Sequence, residues 1–131
     1  MTVLGVDPGT RKCGFAVIDR AGGPPADLGI VPLDVFAERL TALAASYRIS
    51  MVAIGEGTNA TDVAAMVTAV GLPHAFVDER ETTLQARARF FQDHPPRGWR
   101  RLVPRGMLLP DRPVDDYAAL LIAERYLRRV E

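Results

Sequence analysis

The sequence has few of the residues that bind soft metals or form covalent cross-links. Among 131 residues there is one cysteine, Cys13, and there are two isolated histidines, His74 and His94. One cysteine cannot form an internal disulfide, and without a Cys/His cluster there is no ligand set for structural zinc. We therefore expect Cys13 to be a small buried apolar residue.

Long hydrophobic runs are also missing. No stretch of about 18 apolar residues occurs, and Met1 leads into a strand-like run without the basic region and apolar core of a signal peptide. Apolar residues make up 48% of the chain and charged residues 24%, a normal globular mixture. We expect a single domain over residues 1–131, located in the cytoplasm and without a membrane partner.

Lysine is almost absent, and the positive charge is carried by arginine. Lys12 is the only lysine, and 16 basic residues balance 16 acidic ones, so the net charge is zero. The segment 94–112 nevertheless holds five arginines against one acid: Arg97, Arg100, Arg101, Arg105 and Arg112. Guanidinium groups suit bidentate phosphate contacts. The segment is predicted to hold a nucleic-acid backbone, with Trp99 either stacking on a base or packing within its own domain.

Hydrophobic patterning predicts three strands followed by alternating helices and strands. Residues 2–7 and 13–19 are apolar runs ended by Gly/Pro turns, which indicates a hairpin, and residues 28–31 form a weaker third strand. Helical spacing follows from Leu33 to Tyr47. The next elements are a strand at 51–54, a helix capped by Thr58 or Asn59 and closed by Gly71, and a strand at 75–78. A helix from Thr82 or Thr83 to Gln92 and a loop at 95–113 follow. The last helix, at 113–129, has an apolar stripe of Val114, Ala118, Leu121 and Ile122.

This order predicts an α/β fold with one mixed five-stranded sheet. Three antiparallel strands come first and parallel strands follow, with about four helices flanking the sheet. In such sheets the working site lies beyond the carboxyl ends of the parallel strands.

Acidic residues fall at these strand ends and at the start of the last helix: Asp7, Glu56, Asp78, Glu79, Asp115 and Asp116. Carboxylates that converge on one point would hold divalent cations for phosphodiester hydrolysis, because hard cations prefer oxygen ligands. Each acid also has a structural explanation. Asp7-Pro8-Gly9 is a good turn, and acids at a helix start interact favourably with the helix dipole.

Three segments resemble the YqgF (RuvX) family, which stands beside the RuvC-type Holliday junction resolvases in the ribonuclease H-like superfamily. Residues 7–17 (DPGTRKCGFAV) are similar to its D-x-G-T-[KR]-[KR]-x-G-[VF]-A-V opening. Residues 77–86 (VDERETTLQA) resemble its V-D-E-R-x-[ST]-T-x-x-A segment, and residues 114–127 (VDDYAALLIAERYL) resemble its V-D-x-x-A-A-x-x-I-L-x-x-Y-L helix. The segments stand in the family's order and span most of the chain.

The resemblance implies a ribonuclease H-like fold and a metal-dependent nuclease with a part in 5′-end maturation of the 16S rRNA precursor. The implied acids are Asp7, Glu79 and Asp115, which would hold one or two Mg²⁺ or Mn²⁺ ions, with Asp116 as a further candidate. Gly9 would let the backbone approach a phosphate or metal closely. The implied phosphate contacts are Thr10, Arg11, Lys12 and Arg80.

One position departs from the family pattern. The family usually has Gly-Leu-Pro after the fourth strand, whereas this chain has Gly55-Glu56-Gly57. A glutamate there resembles RuvC and ribonuclease H, whose second metal ligand comes from that strand. We therefore favour Glu56 as a metal ligand and keep Glu79 in the site as a neighbour or fourth acid.

Other functions compete with this interpretation. A Holliday junction resolvase would act on branched DNA as a homodimer, because symmetry-related sites cut the two strands. A nucleic-acid-binding module could keep the fold without catalysis. A sugar-kinase or actin-like ATPase shares the D-x-G-T turn but closes two such domains around its nucleotide. The sequence leaves open structured RNA or branched DNA as substrate, endo- or exonuclease action, the natural metal, and a monomer or homodimer.

Overall fold

Five strands and four helices make up the part of the chain described by the computed structural model, which covers residues 1–78, 82–95, 98, 102 and 113–131. The strands are β1 (Thr2–Asp7), β2 (Lys12–Ile18), β3 (Asp27–Pro32), β4 (Ile49–Gly55) and β5 (His74–Val77). The helices are α1 (Phe36–Ser46), α2 (Ala60–Ala69), α3 (Thr82–Asp93) and α4 (Asp115–Val130), and a 3-10 turn (Leu33–Val35) precedes α1. No helix among these residues is long and apolar enough to cross a bilayer.

The strands form one sheet in the order β3-β2-β1-β4-β5. The pairs β1/β2 and β2/β3 are antiparallel, whereas β1/β4 and β4/β5 are parallel. This confirms the predicted mixed sheet with three antiparallel strands followed by parallel ones. The carboxyl ends of β1, β4 and β5 consequently lie at the same edge of the sheet.

Two apolar cores cover the two faces of the sheet. Val3 of β1 belongs to the core shared with α3 and α4, whereas Leu4 and Val6 belong to the core shared with α1 and α2. The alternation follows from the strand geometry, in which successive side chains point to opposite faces. Cys13 is fully buried in the second core, as predicted.

Helix α4 is more widely buried than its predicted apolar stripe of Val114, Ala118, Leu121 and Ile122. Leu121 is only partly buried, whereas much of the rest of the helix is inside: Ala119, Leu120, Ala123, Tyr126 and Leu127. The prediction of a single stripe was too narrow, because α4 lies very close to the sheet. The helix is held at that distance by two glycines beneath it.

Gly5 and Gly14 are the positions of closest approach. A Cβ atom at Gly5 would lie 2.1 Å from the carbonyl oxygen of Ala119, and one at Gly14 would lie 2.0 Å from that of Asp115. Neither strand position could therefore carry a side chain without moving the helix. The strands that bear these glycines fix where α4 starts.

A buried ion pair anchors the C-terminal half of α4. Glu124 is 1% exposed, and its Oε1 lies 3.1 Å from Nη1 of Arg89 in α3. Its Oε2 accepts a 2.6 Å hydrogen bond from the backbone N–H of Gly22, in the β2–β3 turn. A buried carboxylate requires such partners, since desolvating an unpaired charge is costly. Three segments are thus joined at one side chain.

The observed element ends differ from the predicted ones by a few residues. β2 begins at Lys12 and ends at Ile18, and β4 extends to Ile49 and Gly55 beyond the apolar run at 51–54. Backbone pairing with β1 and β3 continues past the apolar side chains, because hydrogen bonding in a sheet does not require them. Most of the predicted loop at 95–113 lies outside the described residues.

A substitution of Gly5 by alanine tests the packing of α4. We expect Gly5→Ala to lower the free energy of unfolding by about 2 kcal/mol, because the new methyl group must displace the helix backbone. Chemical denaturation followed by circular dichroism measures this. Gly71→Asn is the control, since Gly71 has open space around it and a left-handed φ of 83° that asparagine tolerates. Equal stability of Gly5→Ala and wild type would contradict the account.

Candidate active site

An open cavity of about 330 Å³ lies where β1 ends and β2 begins. The residues of the connecting turn form most of its wall, and the first residue of α4 completes it: Asp7, Pro8, Gly9, Thr10, Arg11, Lys12 and Asp115. Every residue of this wall except Pro8 was therefore predicted from the sequence to act in the site. Arg11 and Thr10 are exposed, so both are accessible to a large polyanion.

The backbone explains why Asp7 and Asp115 meet here. Asp7 pairs with Gly14 across the β1–β2 ladder, and Gly14 in turn contacts the backbone of Asp115. The missing side chain at Gly14 thus allows the start of α4 to lie beside the end of β1. Two carboxylates that are 108 positions apart in the sequence numbering are brought to one cavity by this contact.

Cys13 lies beneath these carboxylates. Burial raises the pKa of its thiol above the ordinary value of 9.0, a hydrogen bond from the Gly9 backbone lowers it, and the charges of Asp7 and Asp115 raise it further. The thiol therefore remains protonated at neutral pH. This leaves oxygen atoms, rather than a thiolate, as the donors that face the cavity.

Lys12 forms an ion pair with one of the two acids, Asp115. Its Nζ lies 3.4 Å from Oδ2 of Asp115, and both side chains are partly exposed. An ion pair in contact with solvent contributes little to stability, so the ammonium group can leave Asp115 at small cost. Asp115 also stands in the first turn of α4, where the helix dipole favours a negative charge.

Asp116 occupies a different environment from its neighbour. It is 5% exposed, and its Oδ1 accepts a 2.9 Å hydrogen bond from the backbone N–H of Tyr117. The cavity wall contains Asp115 and not Asp116. A role for Asp116 as a metal ligand stays a prediction.

Glu56 shares the sheet edge with Asp7 but not the cavity wall. It follows β4 directly, its side chain is exposed, and its backbone N–H donates a 2.9 Å hydrogen bond to the carbonyl of Val77 at the end of β5. Within the described ranges, no three His, Cys, Asp or Glu side chains are grouped as a metal-binding set. Glu79, the alternative second ligand, lies outside those ranges.

Several predicted nucleic-acid contacts also lie outside the described residues. These are Arg80, Arg97, Arg100, Arg101 and Arg105, together with Trp99. Their roles stay predictions from the sequence.

Asn59 makes a contact with the cavity wall that the sequence analysis did not predict. It does stand at the N-cap position of α2, but it makes no side-chain cap hydrogen bond. Instead its Nδ2 donates a 2.7 Å hydrogen bond to the carbonyl oxygen of Gly9 in the cavity wall. The available signal was the residue type, since asparagine readily adopts the left-handed backbone found at this position.

Comparisons with solved structures identify the fold. RuvC of Thermus thermophilus in complex with a Holliday junction substrate superposes with a TM-score of 0.62 at 18% identity, covering 99% of this chain and 96% of that chain. A second structure of Thermus thermophilus RuvC gives a TM-score of 0.59. The class is therefore that of proteins with the RuvC-type, ribonuclease H-like fold.

Sequence comparisons identify the family within that class. A Streptococcus pyogenes (strain MGAS10270) protein described as "Putative pre-16S rRNA nuclease" is 32% identical over 147 residues, covering 98% of this chain and 99% of the relative. The chain belongs to this pre-16S rRNA nuclease family, the YqgF (RuvX) family that the three sequence segments resemble. A match of 64 residues to protein Tex of Bordetella pertussis covers 8% of that protein. No family model matches the chain.

The buried thiol predicts a pH dependence of stability. Because the folded state raises the pKa of Cys13, its contribution is fully present below the ordinary value of 9.0 and is lost as the pH rises through the folded-state pKa. The stability advantage of wild type over Cys13→Ala should therefore be larger at pH 7.5 than at pH 10. Urea denaturation of both proteins under reducing conditions measures it. A constant difference would mean that the thiol titrates alike in both states.

Proposed function

We propose that this chain is a metal-dependent nuclease, a hydrolase that cleaves phosphodiester bonds during 5′-end processing of the 16S rRNA precursor. The observation that carries the proposal is the cavity in which Asp7 and Asp115 lie together with the polar residues of the β1–β2 turn. The names of the relatives in the family support the substrate. We propose further that the whole site belongs to one ribonuclease H-like domain.

The residues of the cavity fit a hard divalent cation. Asp7 and Asp115 supply carboxylate oxygens and Thr10 a hydroxyl oxygen, whereas the one thiol nearby is buried and protonated. Oxygen donors of this kind suit Mg²⁺ or Mn²⁺ and not a soft metal. When bound, such an ion stabilises the negative charge that develops on the phosphate and lowers the pKa of a water molecule.

A third carboxylate would complete the donor set. We propose Glu56, because its exposed side chain follows β4, the strand paired in parallel with the strand that ends at Asp7. Glu79 is the alternative, as a neighbour or fourth acid. Either residue would come from the carboxyl edge of the sheet, where the ends of neighbouring parallel strands bring site residues together.

The basic and polar residues of the turn would orient the substrate. Arg11 and Lys12 are exposed beside the two acids and would bind the phosphates that flank the scissile bond. Lys12 would leave Asp115 for a phosphate of the substrate, because a bound cation would take its place beside the carboxylate. Arg80 and the arginines at 97–105 would extend the contact along the nucleic-acid backbone.

The first test is cleavage of an RNA that spans the 5′ end of the 16S precursor, in the presence of Mg²⁺ or Mn²⁺. Asp7→Asn should reduce the rate by about 100-fold or more, because the amide is a weak metal ligand. Asp19→Asn is the matched control, since Asp19 is an exposed aspartate beyond the carboxyl end of β2, at the opposite edge of the sheet. A folded Asp7→Asn protein that cuts at the wild-type rate would refute the proposal.

The second candidate is a Holliday junction resolvase, favoured by the glutamate at the end of β4, where the family usually has leucine. A four-way DNA junction belongs in the same assay for that reason. Symmetric cutting of the junction by a homodimer, without cutting of the RNA, would replace the rRNA-processing proposal by this one. Cleavage of the RNA alone by a monomer would exclude it.

Lys12 provides a separate test of the competition for Asp115. Lys12→Met should bind Mn²⁺ more tightly, because the ammonium group no longer occupies the carboxylate, and should bind nucleic acid more weakly and with a smaller salt dependence. Calorimetric Mn²⁺ titration and filter binding measure the two effects. Lys12→Arg is the control that keeps the charge. Unchanged Mn²⁺ affinity in Lys12→Met would show that the ion pair does not oppose metal binding.

A further inference from the structure

The turn after β1 and the loop after β4 are joined by a hydrogen bond between distant residues. Nδ2 of Asn59 donates to the carbonyl oxygen of Gly9 at 2.7 Å, across a separation of 50 residues in the chain. The first partner stands in the loop that contains Glu56, and the second lies in the cavity wall between Asp7 and Lys12. The bond therefore connects the two segments that would supply acids to the site.

The backbone of Asn59 adopts the left-handed conformation. Its φ is 68° and its ψ is 7°, and it is the one non-glycine residue with positive φ in the described part of the chain. This conformation is unfavourable for most residues, and asparagine is one of the few besides glycine that adopt it readily. Here it directs the side chain away from the helix that Asn59 begins and toward Gly9.

Gly9 is also fixed by other contacts. Its backbone makes a hydrogen bond to the buried Cys13, and a Cβ atom at this position would lie 2.4 Å from the carbonyl oxygen of Lys12. At the far end of the turn, the carbonyl of Arg11 accepts a 2.8 Å hydrogen bond from the backbone N–H of Leu33. The Asn59 hydrogen bond adds a further constraint on the Gly9 carbonyl, so these contacts together restrict the motion of the turn.

We infer that Asn59 is a positioning residue of the nuclease site. It fixes the Gly9 carbonyl, and with it the turn that presents Asp7, Thr10 and Arg11, relative to the loop of Glu56. The inference rests on the proposed function, because positioning is meaningful only if the cavity is the catalytic site. A side chain that acts in this way affects the arrangement of reacting groups more than the affinity for substrate.

Two variants separate positioning from stability. Asn59→Gly keeps a residue that adopts the left-handed backbone freely and removes the amide. Asn59→Asp keeps the size and also tolerates this backbone, but it places a carboxylate oxygen against the carbonyl of Gly9 where a donor stood. Thr58→Ala is the control, since Thr58 is the exposed neighbour in the same loop.

The experiment combines cleavage kinetics with hydrogen exchange. In Asn59→Gly we expect kcat to fall about 10-fold or more with KM changed less than about twofold, while the midpoint of thermal unfolding stays near that of wild type. Exchange of the backbone amides at residues 9–12 should accelerate. Asn59→Asp should show the same pattern, and Thr58→Ala should match wild type.

Three outcomes decide the inference. If wild type cleaves and both Asn59 variants keep its kcat, the inference is wrong although the proposed function stands. If wild type cleaves no nucleic acid, the proposed function fails, and the inference, which rests on it, fails as well. A parallel loss of stability, kcat and KM in both variants would assign Asn59 to folding alone and would also overturn it.

Discussion

The contact between α4 and the two glycines beneath it controls the geometry of the site. Gly5 and Gly14 let the helix backbone approach to distances that no side chain would permit. Gly14 is paired with Asp7, so the same contact that seats the helix also sets the position of Asp115 relative to Asp7. The arrangement of the two proposed catalytic acids is thus a consequence of how closely a helix packs on a sheet.

Charge is distributed in two different ways along this helix. Glu124 is buried, and its carboxylate pairs with Arg89 and accepts a hydrogen bond from the backbone N–H of Gly22, so it joins α3, α4 and the β2–β3 turn. Asp115, the first residue of α4, is partly exposed, and Lys12 forms a weak ion pair with it. A buried, fully paired carboxylate gives rigidity, whereas a partly exposed one is available for a ligand. The ion pair of Glu124 thus fixes the helix that carries Asp115.

Much of the fold follows from local patterns in the sequence. The apolar runs, the Gly/Pro turns and the change to helical spacing identify the five strands, their mixed order and the helices, because burial on two faces of a sheet requires such patterns. The meeting of Asp7 with Asp115 was predictable from strand order and from the family segments. The sheet order and the meeting of these two acids could both be predicted without any interatomic distance.

Other features depend on contacts between distant segments and could not be read from the sequence. Glu124 looks like an ordinary helix charge until the β2–β3 turn and Arg89 are placed against it. Asn59 looks like a helix cap, and its bond to Gly9 exists only because β1 and β4 are neighbours. The width of the buried surface of α4 likewise depends on glycines in two other elements. In each case tertiary structure overrides the local pattern.

The central claim is that Asp7 and Asp115 act on the same bound cation. A double-mutant cycle measured by Mn²⁺ calorimetry tests it most directly, with wild type, Asp7→Asn, Asp115→Asn and the double variant. The account predicts that each single substitution removes most of the affinity and that the second adds little to the loss. Independent, additive losses, or unchanged affinity in either single variant, would contradict a shared site.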